Sequence, residues 1–362
     1  MRLRSSAAAG GQGRDVREIA RRLQLLPEVA HAEPDYQYKP QGGPDSRATG
    51  AKVVPSGVVP ANDPLYPQQW QHTGAGVALA WTHLQSLTLP PYGSPDVVVA
   101  VLDSGVDYTH PDLAASMWIN QAELNGAPGV DDDANGYVDD LHGARVIAGE
   151  LSGNPQDDHG YGTHVAGIIA AQANNGVGGA GVAPGVRIMA IKAAQYSGTL
   201  NSSDVARGLI YAASQGADVI NMSFGGYARS LAVEDALATA FGTSVLVAAA
   251  GNNARLNLPC PLGANFYPAS YIYVLGVMSR DANPRADGGF LSNFSNRDCL
   301  VGDGQEYDLM APGGAILSTL PQGGHGIWSG TSMAAPVVAG IAALARTKWS
   351  NRTQYSSRFR AH

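Results

Sequence analysis

The chain has 362 residues and a formal net charge of −7, long enough for one large α/β domain with a sizeable core and a small appendage. The charge is uneven: residues 61–345 hold 9 basic against 24 acidic side chains, while residues 1–60 and 346–362 are net basic. Such a core excludes nucleic acid and anionic membrane surfaces as partners and suits cations, and no run of eighteen apolar residues offers a membrane span.

Residues 14–40 begin with a helical period at Val16, Ile19, Ala20 and Leu23, broken by Pro27, and continue into an alternating, strand-like VAHAEPDYQY. Residues 41–60 are rich in Gly, Pro and Ser and read as a flexible linker. Residues 1–60 are thus a separable unit too small to bury its own core. From about residue 61 the pattern repeats as strand, loop, helix. Apolar runs of strand length fall at Val97–Leu102, Arg187–Ala190, Val219–Met222, Ser244–Ala249 and Tyr273–Val277. Helical stretches fall at His164–Gln172, Ser203–Gln215, Leu231–Gly242 and Met333–Lys348. Continuous apolar strands alternating with helices predict a doubly wound, mostly parallel α/β sheet covered on both faces, with chemistry at the carboxyl ends of its strands.

Four polar residues fall at such ends. Asp103 closes the VVVAVL run, Asn252 follows SVLVAAA, His164 opens a helix between Gly162 and Gly167, and Ser332 opens another in SGTSMAAPVVAG. Each has a plainer explanation: an Asx-turn, a loop amide, a hydrogen-bonded core histidine, a helix cap. Together they supply what acyl transfer requires. A serine hydroxyl becomes a nucleophile when an imidazole takes its proton, the imidazole needs a carboxylate on its far nitrogen, and the oxyanion needs donors already in place. Asp103, His164 and Ser332 fit those roles, with Asn252 and the Ser332 N–H as oxyanion donors.

The stretches LDSGVDYTHPDL, HGYGTHVAGIIA, AAAGNN and SGTSMAAPVVAG resemble the signature blocks of the subtilisin-like serine peptidases, in their order, from about Asn62 to Leu344. The resemblance implies a secreted serine endopeptidase of broad specificity, acting through an acyl-enzyme on Ser332. It implies that Ser223, Phe224 and Gly225 form an edge strand for the substrate backbone, with Tyr196, Ser197, Gly198 and Thr199 opposite; Phe224 reads equally as core. PEVAHAEPDYQY then resembles the end of a propeptide that acts as chaperone and inhibitor, with cleavage in the linker before Asn62. The expected division is a propeptide remnant at 1–40, a linker at 41–60, a catalytic domain at 61–346 and a basic tail at 347–362. A monomer acting on protein or peptide substrates is expected, its export signal lying outside this sequence.

The loop DDDANGYVDD has the start of a calcium loop in Asp131, Asp133, Asn135 and Gly136, with Tyr137 and Asp139 at positions seven and nine and His142 where position twelve would carry Glu. Five carboxylates within ten residues favour a structural calcium ion over a bare acidic loop. The resemblance implies a second calcium site from Asp63, Asp112 and the loop ANNGVGG, with Ala173, Val177 and Gly179 giving carbonyls and Asn175 its side chain. Cys260 and Cys299 lack metal-site spacing; a bridge and two thiols both stay open.

Some residues depart from the pattern. Tyr161 stands where a His is frequent, an apolar residue follows Pro336, and the resemblance stops after Leu344; none of these is expected to touch the triad. A catalytically impaired, calcium-binding protein of the same fold predicts loss of a triad residue. A serine esterase predicts a G-x-S-x-G elbow in the order Ser, Asp, His, whereas the order here is Asp, His, Ser.

Overall fold

The computed structural model describes residues 32–45, 61–253, 265–284, 288–297 and 307–350, together with positions 17, 20, 21 and 24. The readings on Val16, Ile19, Leu23, Cys260 and Cys299 lie outside the described residues.

Seven parallel strands form the centre, in the order Leu309–Pro312, Val274–Arg280, Val245–Ala249, Val219–Met222, Val98–Asp103, Arg187–Lys192, Gly143–Arg145. Val98–Asp103 is buried throughout, and its side chains alternate between two cores. Val99 and Val101 join Val165, Ile169 and Val337 from the Tyr161–Ala170 and Thr331–Lys348 helices. Ala100 and Leu102 join Val205, Leu209 and Leu237 from the Ser202–Ser214 and Leu231–Phe241 helices on the other face. Each fully buried Val or Leu of this kind contributes roughly 1.5–3 kcal/mol.

From Val98–Asp103 the chain runs to the edge strand Gly143–Arg145, steps back inward to Arg187–Lys192, then crosses to Val219–Met222 on the other side. The winding therefore reverses between the strands that end at Asp103 and Met222, the place at the carboxyl edge where open α/β sheets hold their ligands.

Three differences from the sequence reading matter for the site. The helix expected from His164 begins at Tyr161. Gly160, at φ 95°, enters it from the left-handed region, and the Asp157 carboxylate accepts the N–H groups of Gly160 and Thr163. His164 is thus a full turn inside a buried helix and does not open it. The Arg187 strand runs on to Lys192, whose charge conceals the extension; its Nζ reaches the Ser104 carbonyl at 2.8 Å and Asp158 at 2.6 Å. Finally, Gly43–Pro44, inside the expected linker, is a strand paired with Trp328 and Ser329.

Candidate active site

Ser332 lies in the first turn of the Thr331–Lys348 helix and is fully buried. Pro336 has no N–H to give the Ser332 carbonyl; the Ser223 hydroxyl donates to it instead, at 2.9 Å. The Ser332 hydroxyl in turn donates to the Ser223 carbonyl at 2.5 Å. These reciprocal bonds tie the helix start to the end of the Val219–Met222 strand.

Residues 37–45 cross this point as an extended chain. Gln37 and Tyr38 pair antiparallel with Asn201 and Leu200, and Lys39 and Pro40 pair with Gly225 and Phe224. Beyond Ser332, Gly43 and Pro44 pair with Ser329 and Trp328. Gln41 sits between the two ladders. Its N–H donates to Ser332 Oγ at 2.8 Å, and its carbonyl accepts the Ser332 N–H at 2.9 Å. Upstream, Glu33 accepts the Leu231 and Ala232 N–H groups and Asp35 the Ser203 N–H, so two carboxylates cap the first turns of two helices.

Asn252 is beside the same carbonyl. Its Oδ1 accepts the Thr331 N–H at 2.9 Å and the Thr331 hydroxyl at 2.8 Å, fixing the amide, while its backbone N–H donates to Gln41 Oε1 at 3.2 Å. A Cβ on Gly330 would lie 2.2 Å from the Gln41 carbonyl oxygen and 3.0 Å from Asn252 Nδ2. Glycine is required there because both groups converge on that space.

Asp103, at its strand end, packs against the turn that carries Tyr161: a Cβ on Gly162 would lie 3.2 Å from the Asp103 Cβ. One carboxylate oxygen accepts the Ser104 N–H at 2.7 Å; the other is buried without a partner. Burial pushes the carboxyl up to about 8, helped by the Asp157 charge and opposed by the Ser104 hydrogen bonds and Lys192.

His164 does not join them. Its Nε2 lies 3.2 Å from the Gly326 carbonyl, its Nδ1 has no partner, and its ring stacks on Trp328 at 4.7 Å and 7°. Burial pushes the imidazole down to about 3, against the opposing pull of the nearby Gly326 and Ile316 carbonyls. The role of general base assigned to His164 is therefore corrected: a neutral ring hydrogen-bonded to a carbonyl and stacked on an indole is a core histidine. Tyr161, one turn earlier, faces the site in its place. Its hydroxyl is buried without a hydrogen-bond partner, and a Cβ on Gly42 would lie 2.9 Å from it. Burial pushes this phenol well above its ordinary range; the Ser332 side chain lowers it and the Asp103 charge raises it further.

Of the expected substrate residues, Phe224 and Gly225 carry the pairing backbone while the Phe224 ring is buried against Tyr38 at 6.0 Å. The opposite strand is Leu200–Asn201. Tyr196, Ser197, Gly198 and Thr199 form the turn before it, closed by Gln195 and Thr199, with Tyr196 exposed.

The calcium readings are redistributed as well. Asp131 accepts the Asn135 and Gly136 N–H groups and Asp139 turns to the Gly129 N–H, so these two carboxylates hold loop backbone. Asn135 and Tyr137 are linked to each other, side-chain oxygen to N–H. The oxygens that converge are those of Glu123, Asp133 and Asp140, all within 4.8 Å of one another. Burial works to raise the Asp133 carboxyl, but hydrogen bonds from Asn120, Gln215 and the Asn135 N–H bring it below the usual range; burial holds Asp140 above it. In the other loop, Asp63 accepts the N–H groups of Asn174, Asn175 and Gly176, which makes it a clasp for residues 173–179. Asn175 donates to Asp112 at 2.8 Å and accepts the Val177 N–H, so Asp112 and Asn175 are adjacent. Glu123 and Asp140 were missed because the loop motif reads alternate positions within one segment: it skips Asp140, and Glu123 comes from the Gln121–Asn125 helix outside it.

A cleft that holds a peptide carbonyl on a serine N–H, with the serine hydroxyl alongside, on a doubly wound parallel sheet, is the architecture of a serine peptidase of the α/β kind. Residues 94–359 match the Subtilase family, and the chain belongs to that family. It is 34% identical over 342 residues to the Thermophilic serine proteinase of Bacillus sp. (strain AK1), covering 94% of this chain and 69% of that protein. It is 37% identical over 285 residues to the Halolysin-like extracellular serine protease Nep of Natrialba magadii, covering 78% and 45%. Among solved structures, fervidolysin from Fervidobacterium pennivorans, a keratinolytic enzyme related to subtilisin, superposes with a TM-score of 0.68 at 28% identity, covering 88% of this chain and 46% of that one. The chain thus spans between under half and about two thirds of the length of these relatives. No helix among the described residues is long and apolar enough to cross a membrane.

Proposed function

We propose that the chain is a secreted serine endopeptidase of the subtilase type, with Ser332 as nucleophile, Asn252 and the Ser332 N–H as oxyanion donors, and Asp103 as the carboxylate of the site. The observation that carries this is the 2.9 Å bond from the Ser332 N–H to the Gln41 carbonyl, within a segment held by main-chain pairing on both sides. Attack of Ser332 Oγ on that carbonyl would form an acyl-enzyme and release Gly42 as a new amino terminus; water then frees Gln41. Residues 33–45 act in this reading as an intramolecular inhibitor, and proteins or peptides follow in the same groove once they leave. Main-chain pairing accepts many sequences, which fits broad specificity.

Structural calcium belongs to the same reading. The three carboxylates of Glu123, Asp133 and Asp140 are hard oxygen donors brought together at like charge, a set suited to a divalent cation. Asp112, Asn175 and the carbonyls of Ala173, Val177 and Gly179 would form the second site. The ion would brace loops; no chemical step passes through it.

The test is release of peptides from unfolded casein by the wild-type chain and by Ser332→Ala over a day. Slow release that depends on Ser332 is expected; equal release from both would sink the assignment. The displacement of His164 favours one other reading, a subtilase that holds peptides without cutting them. Wild-type chain that binds a residue 36–45 peptide but never releases casein fragments would select it.

A further inference from the structure

Proton transfer is what the site lacks. As Ser332 Oγ bonds to the Gln41 carbon its proton must leave, yet that proton is held on the Ser223 carbonyl, which is no base. His164 is turned to Gly326 and stacked on Trp328. Asp103 keeps an unpartnered oxygen, as if an N–H or O–H belonged on it, and the hydroxyl of Tyr161 is likewise unpartnered. The Tyr161 ring lies 5.2 Å from Trp328, and its hydroxyl is next to the Gly42 position. A phenol fills the space where a base would have to stand.

We propose that Tyr161 holds the chain in a self-occupied state: standing between Asp103 and Ser332 in place of a base, it slows cutting of the Gln41–Gly42 peptide and the turnover that follows, and one side-chain change at this position would speed both. The inference rests on the reading of Ser332 as nucleophile. Burial, which raises the phenol, acts in the same direction, since a phenolate able to accept the serine proton is then scarcer still. The carboxylate caps of Glu33 and Asp35 and the two strand ladders hold the segment in register meanwhile.

An imidazole at position 161 completes the balance. It takes the Ser332 proton as Oγ bonds to the Gln41 carbon, and passes it to the Gly42 nitrogen as the C–N bond breaks. A water then donates its proton to the same imidazole while its oxygen displaces Ser332 from the acyl carbon, and Ser332 recovers a proton.

The experiment follows intact mass over time for the full chain as wild type, Tyr161→His and Tyr161→His/Ser332→Ala. Tyr161→His is expected to split at Gln41–Gly42 at least about 10²-fold faster than wild type, within the span general-base catalysis supplies, with a rate that rises through the imidazole range near pH ~6.5. The double variant is expected to stay whole. Equal, Ser332-dependent rates in wild type and Tyr161→His would overturn the role of Tyr161 and leave Ser332 standing. Splitting that persists in the double variant would overturn the Ser332 reading itself. Should Tyr161→His fail to fold, Tyr161→Ala with added imidazole replaces it: restored splitting supports the proposal, and none at saturating imidazole overturns it.

Discussion

The His164 imidazole lies 4.7 Å from the Trp328 ring and 7° from parallel to it, with Nε2 on the Gly326 carbonyl. This pair packs the Tyr161–Ala170 helix on the Gly324–Ser329 strand, and bonds from Ser318 to the His164 carbonyl and from Thr319 to the Thr163 carbonyl tie the same helix to the adjoining Ile316–Leu320 strand. His164→Ala is therefore expected to cost roughly 2–4 kcal/mol of stability, as for other large buried rings. In a Tyr161→His background it should not remove splitting at Gln41. Denaturant melts and intact mass check the two halves separately.

The same ring gives a pH dependence. Its native value, about 3, lies below the ordinary value near ~6.5, so the unfolded chain binds the proton more readily. Stability is then full above pH ~6.5 and declines as pH falls toward 3. A melting series in wild type and His164→Gln should show the acid-side slope shrinking in the variant.

Asp103 works in the opposite sense. Its native value of about 8 is above the usual carboxylate range, so the native state holds the proton longer and stability declines as pH rises between ~4 and 8. Asp103→Asn, which removes the buried charge, is expected to raise Tm by about 2–4 °C at pH 8 and by less at pH 5. Differential scanning calorimetry at the two values decides it.

Gly330 and Glu33 test how the segment is held. A Cβ at Gly330 would meet the Gln41 carbonyl oxygen at 2.2 Å, so Gly330→Ala should drive Gln41 off Ser332. Glu33→Gln weakens a helix cap by about 1 kcal/mol. Hydrogen exchange over residues 37–45 should accelerate in both, more in Gly330→Ala.

Calcium is tested by chelation. Removing it should lower Tm, and Asp133→Asn should lower the wild-type Tm in calcium while shrinking the loss on chelation, because one of the three converging carboxylates is gone.

Much of the sheet was legible because its strands are buried on both faces and read as apolar runs, as at Val219–Met222. The edge strands Gly143–Arg145 and Leu309–Pro312 escaped because they are short and carry Gly, Arg or Pro. Asp103, Asn252 and Ser332 sit where strand and helix ends were expected. His164 does not, because the helix start was set at an imidazole; Gly160 and the Asp157 cap start it three residues earlier. The departure at Tyr161 was visible in HGYGTHVAG, but only folding shows which residue of that turn faces the serine. The seating of Gln41 was hidden for another reason: a Gly/Pro-rich span reads as linker, and its two ladders are made by partners 162 to 286 residues away.

The most direct test of the account is the amino-terminal sequence of the large fragment released by the Tyr161→His chain. Gly-Gly-Pro-Asp, beginning at Gly42, is predicted. A fragment beginning at any other residue would mean that the Gln41 carbonyl is not the one Ser332 attacks.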